Sequence, residues 1–176
     1  MNELIDIFDE GMNHLGTMEK WQARKKDVWI RGVHVWITDG RNVLVQLRSE
    51  NKKNFPNLWD ISVGGHVSAG ETPLQAAKRE FKEELGLPWT FGDLKEDIIF
   101  KTYVLAPGDI AKEFSFVYFL KTKIDIEKLK LQREEVADIK YVPHQEFIKL
   151  FNSKDFVPHA KDYIETVLVG ISKHLN

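Results

Sequence analysis

Three carboxylates, Glu80, Glu83 and Glu84, stand at i, i+3 and i+4 within the stretch GHVSAGETPLQAAKREFKEELGL, residues 65–87. On a helix that spacing gathers them into one sector about 100° wide. In a bare surface helix like charges so placed repel, at roughly 0.2–0.5 kcal/mol per pair. A divalent cation with oxygen ligands turns the repulsion into binding. Mg²⁺ suits such a set, since it takes a few carboxylates together with waters and substrate phosphates. Taken alone, REFKEEL also fits the solvated face of an ordinary amphipathic helix. The surrounding residues decide between the two.

The helix that must carry these acids is clearly punctuated. Thr72 is a good N-cap, Pro73 occupies the first helical position, and Gln75 completes a Thr-x-x-Gln capping box. Gly86 stands where a left-handed C-terminal cap belongs, so the helix is expected over residues 73–85. Leu74, Ala77, Phe81 and Leu85 then form a core-facing stripe about 80° wide, centred about 110° from the acidic sector.

The rest of the chain reads mainly as strands. ELIDIF and LGTMEKW form an N-terminal hairpin, residues 3–21, followed by a polar link to Asp27. VWIRGVHVWITDG is rich in β-branched and aromatic residues, and a tight Asp39-Gly40 connection leads to NVLVQLR, so these two strands read as a hairpin. A loop holding Lys52, Lys53 and Pro56 precedes WDISVG, read as one short strand over residues 59–64. Leu87-Pro88 stops the central helix. EDIIFKTYVLA and KEFSFVYFLKTK flank an APGDIA turn, and VADIKYVP is the last strand. HQEFIKLF reads as a short helix, and residues 158–174 as an amphipathic one with Tyr163, Ile164, Val167, Leu168 and Ile171 at helical spacing. Strands, one central helix, strands and then helices point to an α+β fold with a mixed sheet. The chain is expected to form one domain, residues 1–176.

The order Gly65, five residues, Glu71, seven residues, Arg79-Glu80, an apolar Phe81, one residue, Glu83-Glu84, one residue, Gly86 and apolar Leu87 resembles the Nudix box, G-x5-E-x7-R-E-U-x-E-E-x-G-U. Every specified position is matched. A chance match is on the order of one in 10⁸ per window at ordinary residue frequencies. The resemblance implies a Nudix fold, an α/β/α sandwich around a mixed sheet. It also implies hydrolysis of a diphosphate linked to another moiety, X, with Mg²⁺ or Mn²⁺ as cofactor. By position, Glu80, Glu83 and Glu84 would be metal ligands or their support, with the Gly65 carbonyl as a further ligand. Glu83 and Glu84 would also serve catalysis. Arg79 and Glu71 would brace the loop on the helix. The family often draws one more acid from a late loop, and here Glu135, then Glu134, is best placed as a general base.

The stretches DIFDEGMNHLGTMEKW, RGVHVWI and VLVQLRSENKKNFPNLWDISVGGHV further resemble the isopentenyl-diphosphate isomerase-like branch, over roughly residues 4–150. The isomerase carries a catalytic cysteine just before the Gly-His that opens the box. Here Gly64 stands in that place and the chain has no cysteine, which favours hydrolysis. An isomerase relative and a non-catalytic nucleotide-binding or sensing module are the two alternatives. His66 matches the Gly-His and Glu113 falls near a functional isomerase acid, so both are candidate substrate contacts. Arg48 and Lys53 flank the loop before the box, where their charges could hold a diphosphate. His34 reads as a core or pocket histidine, while Trp29, Trp36, Trp59, Phe100 and Tyr103 could stack on a base or simply fill the core.

Bulk properties agree with a small-molecule enzyme. A net charge of −2 offers no basic field for a nucleic acid polymer. The start lacks the pattern of a secretion signal, no apolar run approaches a membrane span, and the absence of cysteine fits the reducing cytoplasm. The N-terminal hairpin could cap a sheet edge or meet a second subunit in a homodimer.

Overall fold

The computed structural model describes residues 3–92, 94, 98–106 and 109–175, with the side chains of 103–106 and 109–111 outside the description. In chain order the elements are β1 (Leu4–Phe8), β2 (His14–Glu19), α1 (Lys20–Ala23), β3 (Trp29–Thr38), β4 (Asn42–Arg48), β5 (Trp59–Asp60), β6 (Val63–His66), α2 (Pro73–Leu85), β7 (Ile98–Ala106), β8 (Asp109–Lys121), β9 (Val136–Pro143), α3 (His144–Phe151) and α4 (Lys161–Ser172). A 3₁₀ turn, Ile126–Lys128, precedes β9. Three readings need correction at their edges. Helix α1 takes Lys20 and Trp21 from the expected hairpin and the start of the polar link, residues 109–111 of the expected APGDIA turn belong to β8, and the last helix begins at Lys161, not at 158, after 156–157 pair with Trp59 of β5.

β3 is the spine of the sheet. It is buried along nearly its whole length, as its β-branched and aromatic run requires. It runs parallel to β8 from Trp29↔Lys112 to Thr38↔Lys121, and β8 pairs antiparallel with β7. The β3–β4 hairpin holds only at its turn, Ile37↔Leu44 and Thr38↔Val43. There Asp39 Oδ1 accepts from the Arg41 and Asn42 N–H groups at 2.9 and 2.7 Å. Beyond that turn the strands fork. β6 fills the fork along β3 and β5 fills it along β4, while β9 covers the far edge of β4. The stretch expected as one strand over 59–64 is thus two, each with its own partner. Ser62 stitches the crotch: its Oγ donates to the Leu44 carbonyl at 2.5 Å and accepts from the Ile37 N–H at 2.9 Å.

Residues of alternate parity on β3 feed two cores. Val33, Val35 and Ile37 pack with Ala76, Ala77, Phe81 and Leu85 of α2, while Trp36 packs with Phe147 of α3 and Tyr163 and Val167 of α4. The result is the α/β/α layering with a mixed sheet. The N-terminal hairpin joins the sheet through Phe8↔Trp29. Among the described residues no helix is long and apolar enough to cross a membrane.

Candidate active site

The fork opens into a cavity of about 1120 Å³. Its acidic wall is α2, whose position the caps determine. Thr72 Oγ1 accepts from Gln75 N–H at 3.3 Å, the Thr72 N–H donates to Gln75 Oε1 at 2.8 Å, and Gly86 takes the left-handed conformation with φ 68°. The three acids that share this face differ sharply. The Glu83 side chain is 49% exposed and Glu80 only 14%, whereas Glu84 is buried. Glu84 Oε2 accepts from the Gly64 N–H at 3.2 Å. Glu80 lies against Gly65 so closely that a Cβ added there would fall 2.1 Å from its carboxyl carbon. A side chain at 65 would displace the acid.

Arg79 knits this wall together. It grips Glu71 with two bonds, Nε to Oε1 at 3.1 Å and Nη2 to Oε2 at 3.0 Å, and Nη2 also donates to the His66 carbonyl at 2.9 Å. Its Nη1 reaches Glu80 at 2.8 Å and Glu83 at 3.2 Å. Burial nevertheless pushes the Glu80 carboxyl up to about 7, against the pull of Arg79. Burial, with Glu80 close by, holds Glu84 well above the usual carboxylate range.

The mouth is formed by the loop after β4 and the turn before β9. Lys52 and Glu135 meet there as an ion pair, and Lys53 and the exposed Glu134 also line the opening. Arg48 reaches the cavity with its donors committed elsewhere: to Asp60 Oδ2 at 2.7 Å and to the Asn54 and Phe55 carbonyls. It shapes the loop, including the left-handed Phe55 and Asn57. The same guanidinium thus lines the cavity and braces the loop.

The inner wall comes from β3, β6 and β8. His34 Nε2 and His66 Nε2 flank Glu113 at 3.6 and 3.9 Å, and Glu113 Oε1 accepts from Ser115 Oγ at 2.6 Å. Arg24 Nη2 lies 3.3 Å from His66 Nε2. Burial raises Glu113 and lowers His66. The aromatic candidates take other places. Trp29 stacks on Phe114, Trp36 fills the α3–α4 core, Trp59 lies under Lys140, and Phe100 packs on Tyr163. None of these four lines the cavity, whose aromatic rings among the described residues are Phe55, His34, His66 and His159. The side chain of Tyr103 lies outside the described residues. Sequence reasoning missed Asp60, His159, Lys20 and Arg24 as cavity residues. Only Lys20 and Arg24 carried a signal, as cations in the polar stretch before β3.

Among the described residues no three His, Asp or Glu side chains are closed on one point as a finished ion site. Arg79 occupies the space between Glu80 and Glu83. The donor set still fits a hard divalent cation. Two carboxyls are buried side by side with strongly raised protonation, a state that an added positive charge relieves, and the Gly65 backbone stands beside them.

A NUDIX domain family model matches residues 28–167, so the chain belongs to the Nudix family. That places it in the class of Nudix pyrophosphohydrolases, enzymes that cleave pyrophosphate bonds. It is 39% identical over 166 residues to Nudix hydrolase 3 of Arabidopsis thaliana, covering 89% of this chain but only 22% of that relative's length. It is 29% identical over 197 residues to an uncharacterised Nudix hydrolase of Clostridium acetobutylicum, covering 94% of this chain and 95% of the relative. Similarity to an isopentenyl-diphosphate Δ-isomerase of Serratia proteamaculans, 29% over 120 residues, covers 67% of this chain and 65% of that one and supports the isomerase-like branch. A solved structure from Deinococcus radiodurans shares the fold, with a TM-score of 0.67 at 21% identity over 94% of this chain and 97% of the other.

Proposed function

We propose that the protein hydrolyses a diphosphate bond in a small molecule, a nucleoside diphosphate linked to X or a similar compound, with Mg²⁺ or Mn²⁺ as cofactor. The observation that carries this is the pair of carboxyls Glu80 and Glu84, largely withdrawn from solvent and set against Gly64 and Gly65 in a cavity whose mouth bears lysines. Glu80, Glu83, Glu84 and the Gly65 carbonyl would hold the ion. Bound there, a divalent ion neutralises phosphate oxygens and makes water more acidic.

The chain's own residues do the rest. Arg79, clasping Glu71, keeps the loop and α2 in register. Glu83, the exposed member of the set, is free to turn from Arg79 toward a ligand. Lys52 and Lys53 attract the diphosphate at the mouth. Glu135, beside Lys52, takes a proton from the attacking water. Attack at phosphorus breaks the P–O–P link and releases a phosphomonoester. His66 and Glu113 contact the substrate deeper in the cavity. The whole chain, 1–176, acts as one cytoplasmic Nudix unit. The thiol that an isomerase needs before Gly65-His66 is replaced by Gly64 in a chain without cysteine.

A screen of diphosphate compounds with Mg²⁺ and Mn²⁺, run beside Glu83→Gln, tests the reading. Turnover of at least one compound by wild type, reduced in the variant, is expected. Double-bond migration in isopentenyl diphosphate, or ligand binding with no turnover of any compound, would overturn it.

A further inference from the structure

We infer that His34 and His159 form a neutral hydrogen-bonding subsite that selects an uncharged polar X, a nucleoside or a sugar, over a hydrocarbon one. The inference rests on the hydrolase reading for the presence of a diphosphate and goes beyond it in naming what recognises X.

The protonation of His34 follows from a buried hydroxyl that must be satisfied. Tyr163 is fully buried. Trp36 Nε1, which can only donate, lies 3.3 Å from Tyr163 Oη. The tyrosine hydrogen then needs an acceptor, and among the described residues His34 Nδ1 lies in reach, 2.6 Å away. Nδ1 is therefore bare and the His34 proton is on Nε2. That N–H faces Glu113 Oε1 at 3.6 Å, too far for a good bond, and this oxygen already accepts from Ser115. His34 is thus a donor held in one tautomer with no close acceptor among the described residues.

His159 sits beside it. Its ring stacks on Tyr163 at 4.6 Å and 22° and meets His34 edge-on at 6.2 Å. Its Nε2 is buried with no hydrogen-bond partner among the described residues. Both histidines line the cavity. Burial keeps both rings uncharged, so this region does not compete for the diphosphate, which the mouth lysines and the acidic wall attend. What remains for it is the other end of the substrate. A prenyl group there would leave both ring nitrogens unpaired. A hydroxyl or a base edge would satisfy them. Sites built to hydrogen-bond a ligand reject analogues lacking the group by up to roughly 10⁴-fold or more.

Calorimetric binding in Mg²⁺ decides it, with non-hydrolysable methylene-bridged probes: adenosine, ribose 5- and geranyl methylenediphosphonates, each compared with methylenediphosphonate itself. Wild type is expected to bind the adenosine or ribose probe at least tenfold tighter than the geranyl one. Which of the two gains tells base from sugar. His159→Phe, which keeps the aromatic packing, and His34→Phe should each reduce that preference at least tenfold, and His159→Gln should restore part of it. A geranyl probe that binds as tightly as the polar probes, a preference that survives both phenylalanine variants, or no binding of any probe would overturn the inference. Selective binding by an enzyme that turns over no diphosphate would support the subsite and overturn the hydrolase reading, so the two fail separately.

Discussion

Along α2, Glu80, Glu83, Glu84 and Arg79 meet the cavity as a tight group of charges, while on β3 and the segment before α4, His34 and His159 meet it as neutral rings. Both regions are built largely from buried titratable groups, and burial penalises charge in both. They differ in what they keep close. The acids retain a cation, Arg79, which bonds both Glu80 and Glu83. The histidines pack on Tyr163, and their burial outweighs the pull of Asp60 toward the charged form. In the reading proposed above, the same desolvation suits one region to a metal and phosphates and the other to an uncharged group.

The comparison is broken most directly at Glu84. Glu84→Gln should lower kcat at least about 100-fold. Its stability without metal should equal or exceed that of wild type, because a buried carboxyl is replaced by a neutral isostere. Steady-state kinetics beside thermal melts check both, and an active variant would remove the acidic wall from the chemistry. Next comes the metal. At about 100 times its Kd, Mg²⁺ should raise the unfolding free energy by about 2.7 kcal/mol in wild type and much less in Glu84→Gln. An unshifted wild-type melting curve would sink the ion site.

Arg79→Met tests whether the ionic wall is also structural. It loses bonds to Glu71, Glu80, Glu83 and the His66 carbonyl. With the guanidinium 30% exposed, the loss should be about 2 kcal/mol by urea denaturation. The neutral wall answers to pH. Burial, with His159 beside it, lowers His34 from 6.5 to about 3. The unfolded chain takes up that proton first, so this stability is fully present above pH 6.5 and drains away as pH falls toward 3. The slope from this group is at most about 1.4 kcal/mol per pH unit. His34→Gln should flatten the loss between pH 6.5 and 5, and an unaltered slope would contradict a neutral His34. The smallest effect is at the cap. Thr72→Ala should cost about 1 kcal/mol and leave the histidine wall unaffected.

Much of the acidic wall was legible because its determinants are local. Thr72, Pro73, Gln75 and Gly86 set where α2 starts and stops, and helical geometry then dictates which acids share a face. The unequal burial of those acids was not legible, since Glu84 is buried by the Gly64–Gly65 strand that passes over it and Glu83 is not. The break in 59–64 was hidden for a similar reason. Ser62 turns the chain to serve two strands, Leu44 and Ile37, that lie far away in sequence. Arg48 could be read as a cation near the mouth, but its commitment to Asp60 and two loop carbonyls depends on the folded loop. The tryptophans read equally well as stacking platforms or core, and packing against α3, Phe114 and Lys140 settled the matter.

The amino-acid sequence alone determined the family, the limits of the central helix and the acids on its face, because caps, helical period and box spacing all act within a few residues. The tertiary structure decided which of those acids is buried, that Arg48 braces its own loop, and that His34 and His159 share one wall of the cavity. That wall joins His34 to Tyr163 across 129 residues of chain. The state of a titratable group depends on what surrounds it, and here the surroundings are assembled only when β3 and α4 pack together.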